Sequence, residues 1–105
     1  MKKYRTLDDI EEQHFRDHPE EIDSYLDHIF EEYGRDGDTG ALLASLRVVS
    51  RVKGITATAD AAGLTRKGLQ KALSEDGNPR FESVSAIMHA MGYRLAVEKM
   101  TTAHK

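Results

Sequence analysis

The hydrophobic residues of this chain recur mostly every three or four positions, which is the spacing of one face of an α-helix. The clearest run follows Pro19, which suits the first position of a helix, and Gly34 is predicted to end it. The next run begins with a cap at Asp38 or Thr39 and ends at Gly54. A weaker helical pattern precedes Pro19. The predicted core positions of the two stronger runs are Ile22, Tyr25, Leu26, Ile29, Phe30, Tyr33, Leu42, Leu43, Leu46, Val49 and Val52.

The second half of the chain predicts shorter elements. An Ala-rich helix stops at Gly63, a helix capped by Thr65 runs through Leu73, and another helical face ends at Gly92. From residue 93 to 98 apolar and polar residues alternate, which predicts one short C-terminal β-strand. Because a lone strand leaves its backbone groups unpaired, this strand needs a partner, which a second subunit would supply.

Charge divides the chain into two parts. The 105 residues have a formal net charge of −3. Residues 1–40 carry 13 acidic and 5 basic residues, a net charge of −8, whereas residues 41–105 carry 10 basic and 5 acidic residues, a net charge of +5. A positive field concentrates polyanions and a negative field repels them. The distribution therefore indicates two surfaces with different partners.

Several function classes are not expected. The chain has no cysteine, no long apolar run and no secretory signal pattern, which favours a cytoplasmic protein without disulfides or a thiol nucleophile. No phosphate-binding loop or nucleophile motif is present, so neither enzymatic activity nor a cofactor is predicted. His14 and His18 have the spacing of two metal ligands on a helix, but no third ligand is evident beside Pro19. Exposed surface histidines are predicted, and no metal site.

The stretch from residue 55 to 69 has the spacing of a helix-turn-helix. Ala59 would let two helices approach closely, Gly63 would supply the positive φ of the turn, and Leu69 would anchor the second helix in the core. The outward face of that helix would then enter a major groove of DNA. The predicted DNA-binding residues are Thr65, Arg66, Lys67, Gln70, Lys71 and Ser74.

Three motifs carry a family resemblance: Gly63-Leu64-Thr65-Arg66, the turn from Leu73 to Pro79, and Met91-Gly92-Tyr93-Arg94-Leu95. With them the chain resembles the HigA-like antidote proteins of toxin–antitoxin modules. The resemblance implies an all-α fold in which a lambda-repressor-like five-helix DNA-binding domain at residues 39–98 follows an acidic helical extension at 1–38 and precedes a tail at 99–105. It also implies a homodimer that binds operator DNA, represses its own operon, and neutralises a RelE-like mRNA-endonuclease toxin.

Two departures from the family pattern concern the recognition helix. Gln70 occupies a position where the family often has an aromatic residue, so the base preference of the family cannot be assigned to this chain. Gly68 lies inside the helix, where it costs about 1 kcal/mol relative to alanine. Two alternatives remain open at this point: a transcriptional regulator without a toxin partner, and a protein-interaction module that does not bind DNA. The acidic helical extension at 1–38 is predicted to bind a basic toxin.

Overall fold

The computed structural model describes residues 6–100 as an all-helical structure, which confirms the predicted class. Its elements are α1 (Leu7–Asp17), a 3-10 turn (Pro19–Glu21), α2 (Ile22–Asp36), α3 (Thr39–Lys53), α4 (Ile55–Ala62), α5 (Arg66–Ala72) and α6 (Phe81–Ala90). Four of these six α-helices lie in residues 39–98, one fewer than the five that the resemblance implies. Within the described part of the chain, no helix is long and apolar enough to cross a membrane. Residues 1–5 of the predicted extension and 101–105 of the predicted tail lie outside the described residues.

Local sequence signals set the helix ends. Asp38 caps α3 by accepting a hydrogen bond from the Ala41 N–H at 3.0 Å. The prediction that Gly34 ends α2 is wrong, because the helix continues to Asp36 and Gly37 takes the left-handed conformation at φ 65°. The Gly37 N–H donates to the Tyr33 carbonyl at 2.8 Å, and Gly34 stays inside the helix. A glycine stops a helix only where the chain turns away from it.

One core joins the acidic and basic parts of the chain. Phe15, Ile22 and Leu26 of α1 and α2 are buried together with apolar residues of α3 to α6. The fully buried side chains come from α3, from α5 and the turn after it, and from α6, and they include Leu46, Val48, Val49, Leu69, Leu73 and Ile87. The predicted division into an extension and a DNA-binding domain stays a prediction, and the two segments share this core.

Arg47 of α3 ties three segments together. Its Nη1 donates to the Leu73 carbonyl at 2.6 Å, just past the end of α5, and its Nη2 lies 3.3 Å from the Asp8 carboxylate on α1. Both charged side chains of this ion pair are largely shielded from solvent, with 22% and 31% of their surfaces exposed. The end of α5 is therefore held by a cation that α1 also neutralises.

The predicted C-terminal strand is wrong, since residues 93–100 contain no strand and residues 6–92 offer no strand to pair with it. The alternation reflects packing instead. Tyr93 and Leu95 pack against the core, whereas Arg94 and Ala96 point to solvent and Val97 is fully exposed. Without a neighbouring strand, the segment is held by the packing of Tyr93 and Leu95 and by a hydrogen bond from the Tyr93 N–H to the Met88 carbonyl at 2.9 Å.

Tyr93 fastens this segment to α2 and α3. Its hydroxyl donates to Asp23 Oδ1 at 2.6 Å, and the Lys53 ammonium lies 5.3 Å from the ring centroid. Burial and the Asp23 carboxylate raise the pKa of Tyr93 to about 12. Because the folded state holds the proton more tightly than the unfolded chain, the contribution to stability is complete below about pH 10 and is lost between about pH 10 and 12.

We expect Tyr93→Phe to lower the free energy of unfolding by about 1 kcal/mol at neutral pH, since one hydrogen bond to a charged but exposed partner is lost. The deficit should shrink as the pH rises from about 10 to 12. Urea unfolding followed by circular dichroism across this range checks both statements. Tyr33→Phe, at an exposed tyrosine of α2, is the control. A loss of unfolding free energy that stays constant with pH would show that the hydrogen bond from Tyr93 to Asp23 does not cause it.

Candidate nucleic-acid interface

Helices α4 and α5 are joined by a three-residue turn, 63–65, with a well-formed helix stop. Gly63 adopts φ 75°, its N–H donates to the Asp60 carbonyl at 3.2 Å, and the Leu64 N–H donates to the Ala59 carbonyl at 2.8 Å. This pair of bonds is a Schellman motif, which needs a residue that tolerates a positive φ at Gly63. Ala59 is 1% exposed and Leu69 is fully buried. The turn therefore sets the direction in which α5 leaves α4.

Four of the six predicted DNA-binding residues lie together on α5. Arg66, Lys67, Gln70 and Lys71 are all exposed, and at 3.6 residues per turn they cover an arc of about 140°. The opposite side of the helix places Leu69 in the core. These four residues, which we call the α5 face, are presented on a helix whose other side is anchored.

The other two predicted residues are placed differently. Thr65 is the N-cap of α5, and its Oγ1 accepts a hydrogen bond from the Gly68 N–H at 2.9 Å. Ser74 lies beyond the end of the helix, is half-buried, and donates its hydroxyl to the Lys71 carbonyl at 2.8 Å. It lines a cleft between α3 and α5 that Gln70 also borders. Thr65 starts the helix, and Ser74 marks the edge of the α5 face.

The cations of the α5 face have no carboxylate partner within residues 6–100. By contrast, every arginine of α1 to α3 forms an ion pair: Arg16 and Arg51 with Glu12, Arg35 with Glu31 and Glu32, and Arg47 with Asp8. Arg66 instead donates to the Thr56 hydroxyl at 3.3 Å, which directs its guanidinium toward the first turn of α4. The positive charge of α5 is therefore available to an external anion.

Sequence reasoning missed three residues that shape this candidate interface. Thr56 orients Arg66, Arg47 holds the Leu73 carbonyl, and Gly77 passes close to the backbone at the end of α5. A Cβ on Gly77 would overlap the Ala72 carbonyl oxygen and lie 3.0 Å from the Ala72 carbonyl carbon. In the sequence, the signal for Arg47 was only that an arginine interrupts an apolar run, and the signal for Gly77 was only that a glycine lies in the turn from Leu73 to Pro79. Neither shows which segment it meets.

The low helix propensity of glycine does not explain why Gly68 lies inside α5, but its contact with the N-cap does. An added Cβ would lie 3.0 Å from Thr65 Oγ1, the oxygen that caps the helix. Alanine would therefore gain helix propensity while crowding the cap.

We expect Gly68→Ala to change the free energy of unfolding by less than about 0.5 kcal/mol, because the two effects oppose each other. Thr65→Ala alone should cost about 1 kcal/mol. In the Thr65→Ala background, the alanine at 68 should stabilise by about 1 kcal/mol, since no oxygen is left to crowd. A double-mutant cycle measured by urea unfolding checks this coupling. Additive effects would show that the cap and the glycine are independent.

These elements define a small all-helical protein in which a capped, basic and exposed helix follows a tight turn. The model of a family described as "probable addiction module antidote protein" matches residues 6–99, and the chain belongs to this family. An uncharacterised protein of Haemophilus influenzae is 35% identical over 80 residues, which cover 76% of this chain and 78% of that protein. No solved structure gives a significant match. The predicted resemblance is confirmed at the level of the antidote family, although not for its HigA-like branch. An antidote implies a cognate toxin.

Proposed function

We propose that the chain is a sequence-specific DNA-binding antitoxin of a type II toxin–antitoxin module. It binds operator DNA as a homodimer, represses its own operon, and neutralises a RelE-like mRNA-endonuclease toxin in the cytoplasm, without catalytic activity or a cofactor of its own. The observation that carries the DNA-binding part is the α5 face, whose cations are exposed and unpaired among the described residues on a helix capped by Thr65 and anchored by Leu69.

The α5 face suits the major groove in width and in chemistry. An α-helix fits this groove, where arginine pairs with the edge of guanine and glutamine with that of adenine. Arg66 and Gln70 are neighbours on the arc and are assigned to base edges, whereas Lys67 and Lys71 are assigned to phosphates. The N-terminus of α4 has no side-chain cap, so its free N–H groups, beside Thr56 and Arg66, suit a further phosphate.

Repression follows from occupancy. A recognition helix of seven residues contacts only a few base pairs, so one chain reads a short half-site. A dimer presents two such helices to half-sites about one helical turn apart, and the combined contacts give the specificity that one helix lacks. A dimer seated across its own promoter denies that segment to the transcription machinery.

The acidic part of the chain is assigned to the toxin. An endonuclease that binds RNA carries positive charge, and residues 1–40 carry −8. On α1 the apolar side chains of Leu7 and Ile10 are 73% and 52% exposed, and Asp9 and Glu11 lie beside them in the sequence. Burial, and to a smaller extent the neighbouring Asp8 carboxylate, raise the pKa of the Glu11 carboxyl. An apolar centre within acidic surroundings matches a basic protein partner.

Two measurements on the full chain test the proposal. Fluorescence anisotropy with DNA from upstream of the gene should show tight binding. The logarithm of the association constant should fall linearly with the logarithm of the salt concentration. Co-expression with the product of the adjacent reading frame should yield a complex that co-purifies. Binding to DNA without such a complex would favour a regulator without a toxin, and a complex without DNA binding would favour a pure interaction module. The absence of both would overturn the proposal.

A further inference from the structure

The corner between α1 and α2 gathers two histidines and two glutamates. His14 lies in the last turn of α1, and His18 is the residue that ends this helix. Pro19 then begins the 3-10 turn, which directs the glutamates at 20 and 21 back toward the histidines instead of away from them. The pair of histidines that the sequence left without further ligands thus gains two carboxylates from the turn that follows.

The distances among His18, Glu20 and Glu21 are those of potential ligands around one ion, and His14 joins this group through its contact with Glu21. His14 Nε2 lies 2.7 Å from Glu21 Oε1, and His18 Nδ1 lies 3.5 Å from Glu20 Oε2. One donor atom each of His18, Glu20 and Glu21 lies within 4.8 Å of the other two, and the two imidazole rings are 4.9 Å apart between centroids. With metal–ligand bonds of about 2.0–2.1 Å, donors around a tetrahedral ion are about 3.3 Å apart. The observed spacings lie on both sides of that value.

We propose that His18, Glu20 and Glu21 bind one divalent transition-metal ion of the zinc or nickel class and that His14, which contacts Glu21, completes the site. Imidazole nitrogens together with carboxylate oxygens suit these ions, whereas calcium and magnesium prefer sites made of oxygen alone. All four side chains are exposed, so they can make the shifts of about 1 Å or more that tetrahedral coordination requires without repacking the core. The site is independent of the α5 face and of the proposed DNA binding.

A bound ion would link the end of α1 to the start of α2. α1 is attached to α3 by the buried Phe15, by the ion pairs of Asp8 and Glu12 with Arg47 and Arg51, and by Arg16, whose Nη2 donates to the Arg51 carbonyl at 3.0 Å. The metal would fix the direction of the chain between these two helices. Since an ion that binds only the folded state stabilises it by mass action, the melting temperature should rise with metal concentration.

Isothermal titration of the tag-free full chain, stripped with EDTA, tests the site with ZnCl₂ as the probe. We expect one saturable ion per chain, no competition from excess MgCl₂, and a melting temperature that rises with zinc and returns when EDTA is added. His14→Ala and His18→Ala should each weaken zinc binding by about tenfold or more. His28→Ala and His89→Ala remove exposed histidines of α2 and α6 and serve as matched controls that should bind zinc like the wild-type chain.

The variants themselves are checked by far-ultraviolet circular dichroism, because both histidines are exposed and their removal should leave the helix content unchanged. If His28→Ala or His89→Ala weakened zinc binding as much as His14→Ala, the binding would be diffuse and the site would be wrong. A titration without saturation would overturn the proposal as well, as would a His14→Ala His18→Ala double variant that keeps wild-type affinity.

Discussion

Alanine at position 77 is expected to destabilise the protein by about 2–3 kcal/mol. An added Cβ on Gly77 would overlap the Ala72 carbonyl oxygen and lie 3.0 Å from the Lys71 carbonyl oxygen. The obstacle is backbone at the end of α5, which cannot rotate away as a flexible side chain would. Nor can the helix end shift freely, because Leu73 is buried and its carbonyl accepts from Arg47. The substitution must therefore displace either the turn or the end of α5.

Gly34→Ala is the matched control for this prediction. Gly34 lies inside α2, and no atom that a new Cβ would meet lies within 4 Å. There alanine should stabilise by about 1 kcal/mol, because it favours the helix without a steric cost. Urea unfolding by circular dichroism measures both variants. A Gly77→Ala protein within about 0.5 kcal/mol of wild type would show that the turn yields easily and does not hold the end of α5.

Arg66→Ala is expected to weaken specific DNA binding by about 1–3 kcal/mol, or roughly fivefold to 150-fold, while leaving the helix content unchanged. Arg66 is exposed, and its side-chain hydrogen bond to the Thr56 hydroxyl at 3.3 Å joins two exposed residues. Removing it therefore affects the interface more than the fold. Anisotropy titrations with upstream DNA and with an unrelated sequence measure the loss. Specific affinity should fall more than non-specific affinity.

Arg35→Ala changes the net charge by the same amount and lies on α2, where Arg35 pairs with Glu31 and Glu32. Its DNA affinity should equal that of the wild-type chain. Lys67→Ala should weaken binding to both DNA sequences alike and reduce the slope of affinity against salt by about one, because one phosphate contact is lost. If Arg35→Ala and Arg66→Ala weakened binding equally, overall charge would explain the interaction and the α5 face would not.

The helices could be predicted from the sequence because their causes are local. Thr65 and Asp38 cap the helices that follow them, and the apolar spacing gives the buried faces. The choice between Gly34 and Gly37 as the end of α2 was not local, since both are glycines close to the end of the apolar run. It depended on where the chain turns toward α3, and at that point Gly37 alone adopts a positive φ.

The features that could not be predicted from the sequence depend on contacts between distant segments. The alternation after residue 92 has the period of a strand, but no strand lies beside it in residues 6–92, and Tyr93 bonds to Asp23, 70 positions earlier. Arg47 and Gly77 matter because the chain brings them to the end of α5, which neither periodicity nor composition encodes. On the α5 face, the helical period sufficed to bring Arg66, Lys67, Gln70 and Lys71 together.

The core shared by α1, α2 and the later helices has a consequence for the proteolytic degradation of the protein. Phe15, Ile22 and Leu26 cover apolar surface that belongs to the same cluster as Leu46 and Leu69. Small single-core chains unfold cooperatively. A protease that cuts away the acidic helices would strip this cover from α3 and expose the core to which Leu69 of α5 also belongs. One cleavage in the acidic part would then end both toxin neutralisation and operator binding, so that the two proposed activities share a single lifetime.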